Sequence, residues 1–236
     1  MPAACSYNNN YNISKPKVIN MAKVSTGILG GFSGTVGNVV GSYYNGVNYM
    51  RAKPSSYNDA KTEAQLAQRE RFGLIQRLLK RLKTFIQAGF PDFVRYGRPL
   101  NRALSYNIRN AIEGAYPGQT INYANLLVSE GDLTRPQDPV ATSPLPGELS
   151  IEWINNSDLG SAEQTDQLML LVYSPVTDDA VEMLEGPTRD AEIYSMMVPQ
   201  SYEGHPVHVY VAFKNEDGHT SDSVYAGEVT IANDVV

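Results

Sequence analysis

The sequence predicts an α+β chain: a Gly-rich β-hairpin and a helical pair in the N-terminal half, then an all-β sandwich. Three observations carry that prediction. Asn45-Gly46 lies between apolar residues, as a two-residue hairpin turn requires. Apolar side chains then recur at spacings of three and four through residues 59–88. After Gly114 the period falls to two, with turn residues every 8–12 or so positions, the spacing of a sandwich.

Taken in order, residues 1–20 are rich in Asn, Ser, Tyr and Lys without apolar periodicity and read as a disordered tail, with Met21 as a second candidate start. Glycines 27, 30, 31, 34, 37, 41 and 46 are interleaved with Ile28, Leu29, Phe32, Val36, Val39 and Val40. Asn45 and Gly46 both tolerate positive φ and set a type I′ hairpin, which Pro54 ends. The helix over 59–88 places Leu66, Phe72, Ile75, Leu79, Leu82 and Ile86 on one stripe, with Asn58 or Asp59 as its cap. A second helix runs from Pro99 to Glu113 on Leu100, Leu104, Ile108 and Ile112, and the short connection implies an antiparallel pair.

Strands follow at 121–128, 149–154, 167–174, 180–184, 192–198, 207–214 and 223–231. Val207, Val209, Val211 and Phe213 alternate with His208, Tyr210 and Ala212, so one face of that strand is expected to be core. Pro136, Pro139, Pro144 and Pro146 make 136–147 a stiff connector or an edge strand, because proline cannot donate to a ladder.

Charge divides the chain in the same region. Residues 1–110 hold 16 Lys or Arg against 4 Asp or Glu, whereas 111–236 hold 3 against 21, within a net charge of -6. The expected organisation is therefore a tail to residue 20, a basic hairpin-and-helix domain over 21–134, and an acidic sandwich over 135–236. Opposed fields of this kind favour head-to-tail self-association or orientation on a charged partner; fusion of two domains of different origin is the plainer explanation.

Cys5 is the single cysteine, so neither an intramolecular disulfide nor a thiolate metal cage can form. No run of about eighteen apolar residues occurs, and the first thirty residues lack a signal-peptide core. Membrane insertion is not expected, and a cytoplasmic or virion-associated location is favoured.

Candidate chemistry is sparse. The glycine series lacks both the P-loop and the Gly-x-Gly-x-x-Gly pattern, so close strand packing is preferred to phosphate binding. His205 and His208 fall on opposite strand faces and His219 in a loop, which does not converge ligands on zinc. Asp178, Asp179, Asp217 and Asp222 show no calcium-loop spacing. A nucleophile elbow is missing. The expectation is a non-enzymatic protein with no cofactor and no metal.

The one concentrated feature is basic: Arg69, Arg71, Arg77, Lys80, Arg81 and Lys83 on the first helix, then Arg95, Arg98, Arg102 and Arg109. Such a face neutralises phosphates, with Tyr43, Tyr44, Tyr49 and Tyr57 available for base stacking. It equally suits the acidic half of a second copy, and a solvated helix face is the bland alternative. In the sandwich, Tyr173, Tyr194, Tyr202 and Tyr225 offer an aromatic surface for sugar or protein, with core packing the commoner fate. Trp153 and Phe213 are expected in the core.

Pro139-Val140 followed by Leu149-Ser150-Ile151-Glu152-Trp153 resembles the first two strands of fibronectin type III domains, the second of which carries a buried tryptophan. Val209-Tyr210-Val211-Ala212-Phe213, with Asn215, Gly218 and Ser221, resembles that family's sixth strand and following loop. The resemblance covers about 100 residues and implies an immunoglobulin-like sandwich serving as a binding or spacer module, usually without catalysis. Arg-Gly-Asp is absent, so integrin-type adhesion is not implied.

Gly30-Gly31-Phe32-Ser33-Gly34 and Tyr49-Met50-Arg51 resemble a family from Bacteroidota classed as a domain of unknown function, a likeness running from Met21 to the C-terminus. The spacing of Lys61, Thr62, Gln65, Gln68, Arg69 and Phe72 is also similar to segments of phage or prophage structural proteins. The leading expectation is a structural, self-assembling or adapter protein, partnered by itself or by another structural protein. Nucleic-acid binding through residues 69–109 is the alternative, and a carbohydrate- or protein-binding display module the second.

Overall fold

The computed structural model describes residues 23–24, 30–56, 59–91 and 98–233, and the chain forms two compact units, residues 1–60 and 61–236. The tail expected over residues 1–20, Asn58 and Arg95 lie outside the described residues.

The first unit is an antiparallel meander of β1 (Lys23–Val24), β2 (Phe32–Val36), β3 (Val39–Tyr44) and β4 (Val47–Ala52) in sequential order. Tyr44 pairs with Val47 across Asn45 and Gly46, whose φ values are 47° and 84°. Both lie in the left-handed region that a type I′ turn needs and that Gly reaches without steric cost.

The second unit starts with α1 (Glu63–Arg81), α2 (Lys83–Gly89) and α3 (Pro99–Asn110). The cap is Thr62 rather than Asn58 or Asp59. Its hydroxyl accepts from the Gln65 amide at 3.4 Å while the Gln65 side chain accepts from the Thr62 amide at 3.3 Å, a reciprocal capping box. The expected single helix over 59–88 is divided at Leu82, which closes α1 and opens α2. At the end of α2 the Gly89 carbonyl accepts from the Glu130 amide and from the Ser129 and Thr220 hydroxyls. A Cβ at Gly89 would lie 2.9 Å from the Val128 carbonyl oxygen, so this convergence requires glycine.

The strand expected over 121–128 is reduced to β6 (Thr120–Ile121), paired with β5 (Ile112–Glu113), followed by a 3₁₀ turn over Tyr123–Asn125. Beyond the turn, side chains replace the ladder. Asn107 donates to the Leu127 carbonyl and accepts from its amide, and Ser223 accepts from the Val128 amide. With those groups satisfied, no neighbouring strand is needed.

Seven strands then form the sandwich: β7 (Gln137–Thr142), β8 (Glu148–Ile154), β9 (Gln167–Ser174), β10 (Asp179–Met183), β11 (Ile193–Met197), β12 (Pro206–Lys214) and β13 (Val224–Thr230). One antiparallel sheet has the order β10-β9-β12-β13 and the other β11-β8-β7. The α+β class with a β-sandwich is thus present as expected. The proline-rich segment supplies edge strand β7, and Pro139 lies where its register with β8 shifts between Gln137 and Val140.

The four-stranded sheet is buried on both faces, not on the single face expected. Leu168, Leu170, Val172, Val207, Val209, Val211 and Phe213 pack with Leu149, Ile151 and Trp153 of the other sheet. Met169, Leu171, Tyr173, Tyr210 and Ala212 pack with Ile75, Leu79, Leu82, Phe85 and Ile86 of the helices. The helices therefore share a core with the strands. For that reason the compact units divide between Ala60 and Lys61, and no division falls at the expected 134/135 boundary.

Candidate interaction surfaces

The basic helix face is only partly available. Arg81 donates through Nε and Nη2 to Oδ2 of Asp178 at 3.2 and 2.9 Å, and the Tyr173 hydroxyl donates to Oδ1 of the same carboxylate at 3.1 Å. This residue fastens α1 to the β9–β10 turn. With the Gln119 amide turned to satisfy its neighbours, Arg71 donates to it at 2.9 Å. Arg77, Lys80, Lys83 and Arg98 are exposed, as is Arg69, which also makes a polar contact. Lys80 and Arg98 flank a shallow apolar groove of about 160 Å³ floored by Leu79, Leu100 and Leu104. Of the four tyrosines expected to form a sandwich surface, Tyr173 and Tyr202 are buried and Tyr194 and Tyr225 half-buried. Burial pushes the Tyr202 phenol up to about 12.

His208 is buried. Tyr123 stacks on it with centroids 3.9 Å apart and planes 16° apart, and Nδ1 lies 2.9 Å from the Tyr225 hydroxyl. The Tyr210 hydroxyl donates to the Tyr123 carbonyl at 2.8 Å. This cluster joins the 123–125 turn to β12 and β13. Burial lowers the His208 pKa below its ordinary 6.5, against a smaller opposing pull from Glu228. Because the unfolded chain takes up a proton near 6.5 and the folded chain only at lower pH, stability is lost as pH falls through 6.5 towards the folded value. Thermal unfolding should shift to lower temperature between about pH 7 and pH 5.5, and His208→Gln should flatten that dependence. An unchanged slope in the variant would remove His208 as its cause.

A cleft of about 480 Å³ between α3 and β13 is lined by Tyr106, Asn110, Glu130, Arg135, Asp222 and Tyr225. Its charges are mutually engaged: Glu130 with Arg102, and Asp222 with Arg135. No set of three or more His, Cys, Asp or Glu suited to a metal occurs among the described residues, and none of the described helices is long and apolar enough to cross a membrane.

Sequence reasoning missed Arg189. It is fully buried between β10 and β11 and donates to Asp166 Oδ2 at 3.0 and 3.2 Å, to Asn156 Oδ1 and to the Thr134 carbonyl. Its guanidinium lies 3.9 Å from the Phe213 ring centroid, and Trp153 Nε1 donates to its carbonyl at 2.8 Å. The available signal was its isolation: Arg135, Arg189 and Lys214 are the only basic residues after residue 110.

The strongest candidate surface is the first unit's sheet. Between Gly30 and Ser56 only Gly41 is buried. Tyr43 and Met50 project from one face, 64% and 73% exposed; Tyr44, Val47 and Tyr49 project from the other, with Tyr44 at 68%.

A family model described as a family of unknown function (DUF6266) matches residues 31–227. The chain belongs to the DUF6266 family. The match takes in strands β2 to β4 of the exposed sheet, the helices and most of the sandwich of this DUF6266 protein. No curated protein matches it. Among solved structures it is similar to the fn3 domain of human collagen alpha-1(XX), with 13% identity over 44% of this chain and 89% of that one and a TM-score of 0.33. It is similar to the fn3 domain of human contactin 1, with 10% identity over 52% and 97% and a TM-score of 0.29. The FN1-FN3 domains of chicken CNTN1 give 15% identity and a TM-score of 0.37 over 44% of this chain and 35% of that fragment.

Proposed function

We propose that this DUF6266 protein is a non-enzymatic structural or adapter module that self-assembles through its N-terminal sheet, with the sandwich as the displayed body. The observation that carries this reading is the uncovered sheet itself. Strands β2 to β4 expose Val36, Val39, Tyr43, Tyr44, Val47, Tyr49 and Met50. A sheet of this size needs one covered hydrophobic face to be stable, and contiguous exposed apolar surface marks an interaction site. The same reading extends to a phage or prophage origin, proposed on the spacing of Lys61, Thr62, Gln65, Gln68, Arg69 and Phe72.

Size-exclusion chromatography with light scattering tests it. The full chain should form concentration-dependent oligomers that weaken with salt, and a chain starting at Lys61 should be a monomer. Monomers in both cases would sink the proposal. Copurifying nucleic acid would instead favour the second reading, in which the exposed Arg77, Lys80, Lys83 and Arg98 contact phosphates.

A further inference from the structure

The outer face of the three-stranded sheet has the opposite character to the N-terminal sheet. In β8, Leu149, Ile151 and Trp153 point into the core, so Glu152 and Ile154 point outward. Register places Val140 of β7 and Ile193 of β11 on either side of Glu152, forming one row across the sheet. Met197, 71% exposed, lies across from Glu148. Strands β7, β8 and β11 contain Asp138, Glu148 and Glu152 and no Lys or Arg. Strands β2 to β4 contain Arg51 and no Asp or Glu, and Arg51 shares its face with Tyr49, Tyr44 and Val47.

Resting on the self-assembly reading above, we propose that the Tyr44–Tyr49–Arg51 face of one copy docks on the Val140–Glu152–Ile193 face of the next. Arg51 would meet Glu152 while the tyrosines and Val47 cover Ile193, Val140 and Met197. Charge complementarity selects this pairing over sheet on identical sheet, which would bring like charges together. The contact joins two different patches, so it is heterologous: it closes into a ring or, with one of each patch left open at its ends, builds a filament. Three strands at about 4.8 Å spacing, five to seven residues long at about 3.3 Å each, offer a face of roughly 10 by 20 Å. That is smaller than the roughly 800 Å² per partner of a stable pair, so assembly should depend strongly on concentration.

The test uses the full chain. Arg51→Glu and Glu152→Lys should each weaken self-association about tenfold at low salt, and the doubly exchanged chain should recover it. Both positions are exposed, and unchanged melting temperatures will exclude misfolding. In a Cys5→Ser background, Tyr49→Cys and Ile193→Cys chains should form a mixed disulfide when combined and none when kept apart. Oligomers that persist in all charge variants, with Tyr49→Cys linking to itself, would overturn this pairing and leave self-assembly standing. A wild-type chain monomeric at every concentration would remove both. A cross-link formed only within a monomer carrying both cysteines would overturn the intermolecular contact.

Discussion

Asp166→Ala should lower the unfolding free energy by about 3–5 kcal/mol, because it leaves the Arg189 guanidinium buried without its counter-charge. The two side chains are 1% and 0% exposed. Burial lowers the Arg189 pKa, and the hydrogen bond and charge of Asp166 oppose that shift. Arg189→Met should cost less than Asp166→Ala, since Met restores much of the volume over Phe213 while removing the charge. It still frees Asn156 and strands Asp166. The pair Arg189→Met with Asp166→Leu should be milder than the sum of the singles, as a double-mutant cycle in urea at neutral pH will measure. A loss under about 1 kcal/mol for Asp166→Ala would mean that water reaches the site and that the pair is not a structural lock.

Truncation should have a still larger effect. A chain starting at residue 135 retains all seven sandwich strands but uncovers the face that bears Met169, Leu171, Tyr173, Tyr210 and Ala212. At about 1.5–3 kcal/mol for each large apolar side chain returned to water, the loss matches or exceeds the usual stability of a domain. The fragment is expected to be insoluble or to bind hydrophobic dye without a cooperative melt. The fragment from Lys61 keeps the helical layer and should unfold in one transition. A cooperative, soluble 135–236 fragment would show that the helices are an accessory to the sandwich and not one of its layers.

What the sequence disclosed depended on how local each cause was. Strands β8 to β13 follow from two-residue alternation and nearby turn residues, and Asn45-Gly46 is a self-contained signal. The helical stripe also showed itself through spacing from Ile75 onward, but Phe72, expected on it, is exposed, because the first turns of α1 have no apolar layer beneath them. The second buried face of β12 did not, because His208, Tyr210 and Ala212 look polar or small in the sequence; His208 owes its burial to Tyr123 in the 123–125 turn, and Tyr210 and Ala212 to helices more than a hundred residues earlier. The false strand at 121–128 has a similar origin: Leu126 and Val128 are buried, but the segment's hydrogen bonds go to Asn107 and Ser223, which no local pattern reveals. The division placed by charge near residue 134 failed as a boundary of packing, since charge records the surface and the shared core lies beneath it. Of the ten basic residues expected to form a contact surface, Arg71, Arg81 and Arg102 are held by partners distant in sequence, Gln119, Asp178 and Glu130.

The carbonyl of Gly89 also sets an order of events during synthesis. Its partner Thr220 lies 131 residues further on. At about 5–20 residues per second, a ribosome takes roughly 7–26 s to cover that distance. For most of that interval the apolar stripe of α1 and α2 has been made and β12 has not. The emerging chain must therefore carry an unpaired helical layer until its final strands appear. Cells that make this protein should show ribosome-associated chaperones bound to its nascent chains once α1 and α2 have emerged from the exit tunnel, and released when β12 has followed them.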